Sequence, residues 1–253
     1  MHRRAALAAF VAVLAGGAVS CAPAGSNSGG TSEVSTGSGA AATDAAGLTA
    51  AQRAQGWKPL FNGSTTAGWR GYRSQTVPAG WRVEGGTLTK DGPIGDLITT
   101  NQYGDFELAF DWKMSAGGNA GVFYRGTEEY DHIYWSAPEY QLLDDAAHAD
   151  GRNRLTSTGA NYGLYPAPAG ALRPPGEWNS TLIVAQGNRV QHWLNGQKLV
   201  EYEINSADWL AKVKASKFVD YPNYAKAARG HIGFQGDHEG SLTLRNVRIR
   251  ELK

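Results

Sequence analysis

Asp105-Phe106-Glu107-Leu108-Ala109-Phe110-Asp111-Trp112 alternates large apolar side chains with charged or small ones at every step. Successive side chains on a strand point to opposite faces, so this pattern predicts a β-strand with one face in a core and the other wet. The neighbouring segments repeat the theme. Trp81 to Thr89 reads as a hairpin about Gly85-Gly86, and residues 120–125 read as a strand entered through Gly117-Gly118-Asn119. Thr181 to Ala185, Val190 to Leu194 and Lys198 to Ile204 read as a meander, turning at Gln186-Gly187-Asn188 and at Asn195-Gly196. Asn-Gly favours the positive φ angles of a type I′ turn. The last run, Ser241 to Leu252, changes phase. Leu242 and Leu244 share one face and Val247 and Ile249 the other, which predicts a bulge near Arg245-Asn246.

Helical signals are few. Thr49 with Gln52 three places on predicts a short capped helix leading into the fold. Another is expected after Ser206, with Trp209, Leu210, Val213 and Phe218 forming an apolar stripe through Lys217. Many short strands and one short inserted helix predict an all-β jelly-roll β-sandwich over residues 48–253.

Residues 1–20 have the build of a signal peptide: basic Arg3-Arg4, an apolar run too short to span a bilayer, then small residues. Cys21 is the only cysteine, so no intramolecular disulfide can form. Its place after Ala18-Val19-Ser20 resembles a bacterial lipobox, with Ala18 where Leu is usual. Cys21 is therefore expected to carry lipid and anchor the protein to a membrane outside the cytoplasm, with plain secretion as the alternative. Residues 21–47, rich in Ala, Gly, Ser and Thr, bury too little to offset their ordering entropy and are expected to be a tether. The net charge of +1 and the lack of a Lys/Arg cluster beyond the first residues argue against a nucleic-acid partner.

A set of motifs then follows one order along the chain: Leu60-Phe61-Asn62-Gly63, Tyr103 to Leu108, Asn119 to Arg125, and Pro138-Glu139-Tyr140-Gln141-Leu142-Leu143-Asp144 with His148 and Asp150. Gly176-Glu177-Trp178-Asn179, Gln191 to Gly196, Gly230 to Gln235 and Arg245 to Ile249 complete it. This set resembles the 3-keto-disaccharide hydrolase domain family, formerly a domain of unknown function, over nearly everything after Gly56. The resemblance implies a concanavalin-like jelly roll that cleaves glycosides already oxidised at C3. Two departures matter, one being Leu242-Thr243-Leu244 where that family prefers Val and aromatics, the other the loop just before it. Where that family has Gln-Asp-His-Gly, this chain has Gln235-Gly236-Asp237-His238-Glu239-Gly240, and the extra Gly236 leaves open whether His238 reaches the cleft.

A ketone at C3 acidifies the hydrogen on C2, because the carbanion is delocalised as an enolate, and the substituent on C1 can then leave by elimination. Hydration afterwards makes the net reaction hydrolysis. Such a site needs a base at C2, an electrophile on the enolate oxygen and a proton donor or metal for the departing oxygen. Glu139 and Gln141, two apart on a strand, point the same way. Glu139 is the first candidate, as base or metal ligand, with a solvated strand residue as its alternative. His148 and His192 are the candidates for acid–base work, although His192 shares the phase of Val190 and Leu194 and so also fits a core position.

Gln141, Asn119, Arg125 and Gln235 are expected to bind substrate, with a structural carboxylate pair as the equal alternative for Arg125 and a turn role for Asn119; Trp135 and Trp193 offer flat faces for a sugar ring. Asp144 lies on the opposite face from Glu139 unless a bulge after Leu142 turns it inward, and it equally fits a turn-forming residue; Glu139, Asp144 and His231 are the candidate ligands for a divalent ion (Ca, Mg, Mn or Zn). No motif calls for an organic cofactor. The expected partner is an oligosaccharide or glycoside. Two rival functions remain, a carbohydrate-binding module without turnover and an ordinary two-carboxylate glycosidase.

Overall fold

A computed structural model of the chain describes residues 42–253. The expected leader, Cys21 and most of the expected tether lie outside the described residues. Within the last part of that tether, Asp44 accepts from the amides of Ala46 and Leu48 and pairs with Arg53.

Among the described residues the strands in chain order are β1 (Lys58–Pro59), β2 (Trp69–Gly71), β3 (Arg82–Glu84), β4 (Thr87–Asp91), β5 (Leu97–Thr99), β6 (Phe106–Met114) and β7 (Asn119–Gly126). There follow β8 (Glu139–Leu143), β9 (Asn179–Gln186), β10 (Arg189–Leu194), β11 (Gln197–Glu203), β12 (His231–Phe234) and β13 (Ser241–Glu251). Helix α1 (Ala50–Ala54) precedes them and α2 (Ala207–Lys214) lies between β11 and β12. Two antiparallel sheets result. One has eight strands in the order β11-β10-β9-β6-β13-β4-β3, with β1 also paired to β13; the other has five, β2-β5-β12-β7-β8. The fold is an all-β sandwich of the jelly-roll type.

The core lies between the sheets. From β6, Phe106, Leu108, Phe110 and Trp112 enter it almost completely buried, while Glu107 and Asp111 on the other face meet Arg250 and Asn246. Burying a side chain of this size contributes roughly 1.5–3 kcal/mol, so this one strand anchors the sandwich. From the five-stranded sheet, Val122, Tyr124, Tyr140, Leu142, Ile232 and Phe234 face the same core. Their sequence neighbours must therefore face away from it. Phe123 belongs to a separate small cluster on that outer side, with Ile98, Ile133 and Ala137.

The local turn chemistry matches the strand pattern. Asn195 and Gly196, at φ +49° and +82°, join β10 to β11, and Gly85 and Gly86 join β3 to β4. The register of β13 against β6 shifts between Arg245 and Arg248, and Asn246 has φ +54°. That bulge lets Leu244 and Val247 both reach the core. Thr49 and Gln52 form the capping box of α1, and the Ser206 side chain accepts from the Trp209 amide at the start of α2. The apolar stripe differs from expectation. Helix α2 stops at Lys214, Ser216 caps a new 3-10 turn at Lys217–Asp220, and Leu210 is 55% exposed. Phe218 reaches the core from that separate turn instead.

Candidate active site

On the outer face of the five-stranded sheet, β7 and β8 pair without a bulge: Phe123 opposite Glu139, Gly121 opposite Gln141, Asn119 opposite Leu143. Glu139 and Gln141 thus stand side by side, both buried, in a pocket of about 180 Å³. Asn119, Tyr134, Asp150, Tyr162, Lys217, Gln235, Asp237 and His238 complete its lining. Gly121 makes room for the carboxyl group, because a Cβ there would lie 2.1 Å from Glu139 Oε1.

Burial pushes the Glu139 carboxyl up to about 8. Lys217 acts against this, while Asp96, Asp237 and Asp150 add to it. Desolvation disfavours the charged form, so this carboxyl is a stronger base than an exposed one when it does ionise. The Gln141 amide is oriented by its Nε2–H, which donates to Asn119 Oδ1 at 3.1 Å. Its Oε1 is buried without a partner among the described residues, and so is Oε1 of Gln235. Two unpaired buried carbonyl oxygens beside a desolvated carboxyl form a floor that accepts hydrogen bonds. Sugar hydroxyls can donate to it.

The question raised by Gly236 has a clear answer. Asp237 and His238 line the pocket with Gln235. A Cβ at position 236 would lie 2.5 Å from the Gly95 carbonyl oxygen, so only glycine lets this loop press down there. The Gly236 amide donates to Asp96 Oδ1, and its carbonyl accepts from the Ile94 amide. Lys90, fully buried, donates from Nζ to the carbonyls of Gly92, Gly236 and His238. Burial raises the Asp96 carboxyl to about 6 and lowers Lys90.

Several residues expected in the cleft lie elsewhere. His192 is fully buried between the sheets, where Nδ1–H donates to the Gly159 carbonyl and Nε2 accepts from Tyr124 Oη, both at 2.9 Å. Burial holds its pKa down to about 4. His148 caps the 3-10 turn Ala149–Arg152, its Nδ1 accepting from the Asp150 amide. Asp144 accepts from the amides of Gly117 and Ala146; with no bulge in β8 it stays off the Glu139 face and lines a different cleft of about 430 Å³ with the loop at 168–175. His231 donates from Nδ1 to the Thr99 carbonyl, with Gln102 at its Nε2. Glu139, Asp144 and His231 thus do not converge on one ion, and no group of three or more His, Cys, Asp and Glu among the described residues is placed to hold one.

Arg125 is structural. Its guanidinium donates to the carbonyls of Gly104 and Gly187 and to Asp105, each within 2.9 Å. Trp193 faces away from the core on the eight-stranded sheet and donates to Gln191. Trp135 stacks on Tyr221 at 4.8 Å, behind the pocket residue Tyr134. Sequence reading missed Tyr134, Tyr162, Lys217 and Asp237 as pocket residues and met Asp150 only within a motif; they come from loops and turns with no periodicity to mark them. A basic residue beside the buried Phe218 was the one available signal.

His192→Leu is expected to lower stability by about 2–4 kcal/mol, since two buried partners lose their hydrogen bonds, while turnover stays within about threefold. Thermal melts beside kinetics check this. A tenfold loss of kcat in a well-folded variant returns His192 to the chemistry. Because its folded pKa is depressed, His192 costs stability as pH falls from 6.5 through about 4, where the unfolded chain takes up the proton first.

Fold and pocket together define a jelly-roll protein with a desolvated acid and oriented acceptors on the outer face of its smaller sheet. The chain belongs to the 3-keto-alpha-glucoside-1,2-lyase-like domain family, whose model matches residues 56–250. It is 34% identical over 190 residues to a 3-keto-disaccharide hydrolase of Bacteroides thetaiotaomicron, covering 66% of this chain and 66% of that relative. A crystal structure from Parabacteroides distasonis, provisionally described as a glycosyl hydrolase, is 34% identical. It superposes with a TM-score of 0.77 over 81% of this chain and 98% of that one. Another such structure from that organism is 29% identical with a TM-score of 0.55, covering 73% and 99%.

Proposed function

We propose that this protein cleaves glycosides that carry a ketone at C3, by removing the proton on C2 and eliminating the substituent on C1. The observation that carries the reading is Glu139: a buried carboxyl with its pKa pushed to about 8, facing a sugar-sized pocket. A base poised near the working pH takes a carbon-bound proton most effectively. The relative's name, 3-keto-disaccharide hydrolase, supports the same chemistry.

Glu139 takes the C2 proton, and the C–H electron pair enters the enolate. As the enolate collapses, the C1–O bond breaks and its oxygen takes a proton from His238, the imidazole at the pocket. Water then adds across the double bond: its oxygen bonds C1, its freed proton goes to His238, and the Glu139 carboxyl, exchanged with solvent, delivers a proton to C2. Gln141 and Gln235 accept from ring hydroxyls and fix the sugar. The leader and Cys21 support an extracytoplasmic, lipid-anchored location for this activity.

Incubation of the protein with a 3-keto disaccharide in deuterium oxide tests this. The expected result is release of both sugars, with deuterium at C2 of the unit that carries the C3 ketone. Comparable cleavage of the unoxidised disaccharide points to a two-carboxylate glycosidase and overturns the proposal. Binding without turnover does the same in favour of a binding module.

A further inference from the structure

We infer that Lys217 is the electrophile of this site, its ammonium group holding the oxygen of the C3 ketone as negative charge develops there; this rests on the enolate chemistry just proposed. Elimination through an enolate needs a cation or strong donor at that oxygen, and such preorganised charge is worth more in a desolvated site than in water. Among the residues that line the pocket, Lys217 is the one Lys or Arg. The other ionisable groups are three carboxyls, two tyrosines and His238.

The way the chain presents Lys217 supports the role. The 3-10 turn Lys217–Asp220 is capped by Ser216, whose Oγ accepts from the Phe218 amide and donates to the Val213 carbonyl. Phe218 is buried and stacks on Tyr224 at 4.1 Å, which pins the turn to the core. The Lys217 Nζ lies 4.6 Å from the Tyr162 ring centre and 5.4 Å from those of Tyr134 and Phe218. Ring faces hold an ammonium in place while leaving its N–H bonds free. No carboxylate among the described residues forms an ion pair with it, unlike Lys198 or Lys212. Its charge nevertheless reaches Glu139, where it is the largest influence favouring ionisation.

In the step itself, the C2–H pair forms the C2=C3 double bond, and the carbonyl π pair moves to the C3 oxygen beside Nζ. Lys217 keeps its proton, shares it in a hydrogen bond, and releases the oxygen when the pair returns to expel the C1 substituent.

Exchange of the C2 hydrogen for deuterium and release of the aglycone sugar are measured for the wild type, Lys217→Met and Lys217→Arg with a 3-keto disaccharide. Binding of the unoxidised disaccharide and the melting temperature are followed in parallel. Lys217→Met is expected to slow both exchange and cleavage by about a hundredfold or more, as for loss of an oxyanion donor, with binding and melting little changed. Lys217→Arg is expected to recover at least about a tenth of the wild-type rate, because a cationic donor remains. Wild-type exchange that persists at full rate in Lys217→Met sinks this assignment and leaves the enolate reaction standing. A wild type that never exchanges sinks both. Borohydride trapping of the sugar on Lys217 would also overturn it, in favour of a covalent imine.

Discussion

Glu139→Gln is expected to reduce cleavage of a 3-keto disaccharide by about a thousandfold or more and to raise the melting temperature at pH 7. The loss of rate follows from removing the base, whose contribution is typically 10²- to 10⁴-fold. The gain in stability follows from the same burial. The folded pKa of Glu139 is raised from 4.5 to about 8, so the native state holds a proton that the unfolded chain has already released between those values. Native binding of more protons means that stability falls as pH rises through this window. Glutamine has no such charge to desolvate. At pH 7 the gain should be on the order of 2 kcal/mol, or roughly 4–8 °C for a domain of this size. At pH 4 nearly all of it should vanish, because the folded carboxyl is neutral and the unfolded one mostly so. Melts at the two pH values check it; a variant that is equally stabilised at both, or not at all, removes the desolvated carboxyl from the account. On its acid limb, wild-type kcat/KM should rise with pH towards about 8 as Glu139 ionises. A profile that falls over that range would make Glu139 a proton donor.

Gly121→Ala is expected to cost about a hundredfold or more in activity while leaving the protein folded. Nothing strains the backbone at position 121, which is an ordinary strand residue of β7. The added methyl would meet Oε1, Cδ and Cγ of Glu139 at 2.1, 2.8 and 2.9 Å. These are atoms of a flexible side chain, so the sheet survives and the carboxyl swings out of place. A displacement of about 1 Å at a reacting group can cost 10²-fold. The decisive comparison is the double variant. If alanine acts through Glu139, then Gly121→Ala adds little to the loss already caused by Glu139→Gln, since substitutions sharing one partner are not additive. Full activity in the single variant, or independent losses in the double, rejects this coupling.

The contrast between Glu139 and His192 shows what could be read in advance. Both lie on strands and both have a period-2 phase. For Glu139 and Gln141 the i, i+2 spacing placed two polar groups on one face, while their pairing with β7 through Phe123 and Gly121 came only from the structure. For His192 the same period placed it with Val190 and Leu194, and the ring is a core residue whose two nitrogens are paired. Periodicity reports which side of a strand a residue takes, and says nothing of what stands opposite. Asp144 failed for a related reason: its inward turn needed a bulge that the continuous register of β8 does not contain.

Sequence alone determined the sandwich. The alternation in β6, the Asn195-Gly196 turn, the capping of both helices and the bulge at Asn246 are effects of neighbouring residues on one another, so they are written locally. Only the tertiary structure decided which side chains meet Glu139. Lys217, Tyr162, Asp150 and His238 come from separate turns, brought together by Phe218 in the core and by Lys90 under the Gly236 loop. Those approaches join separate turns, the farthest being Lys90 to His238 across 148 positions, and neither hydrophobic period nor turn chemistry says which turns will meet.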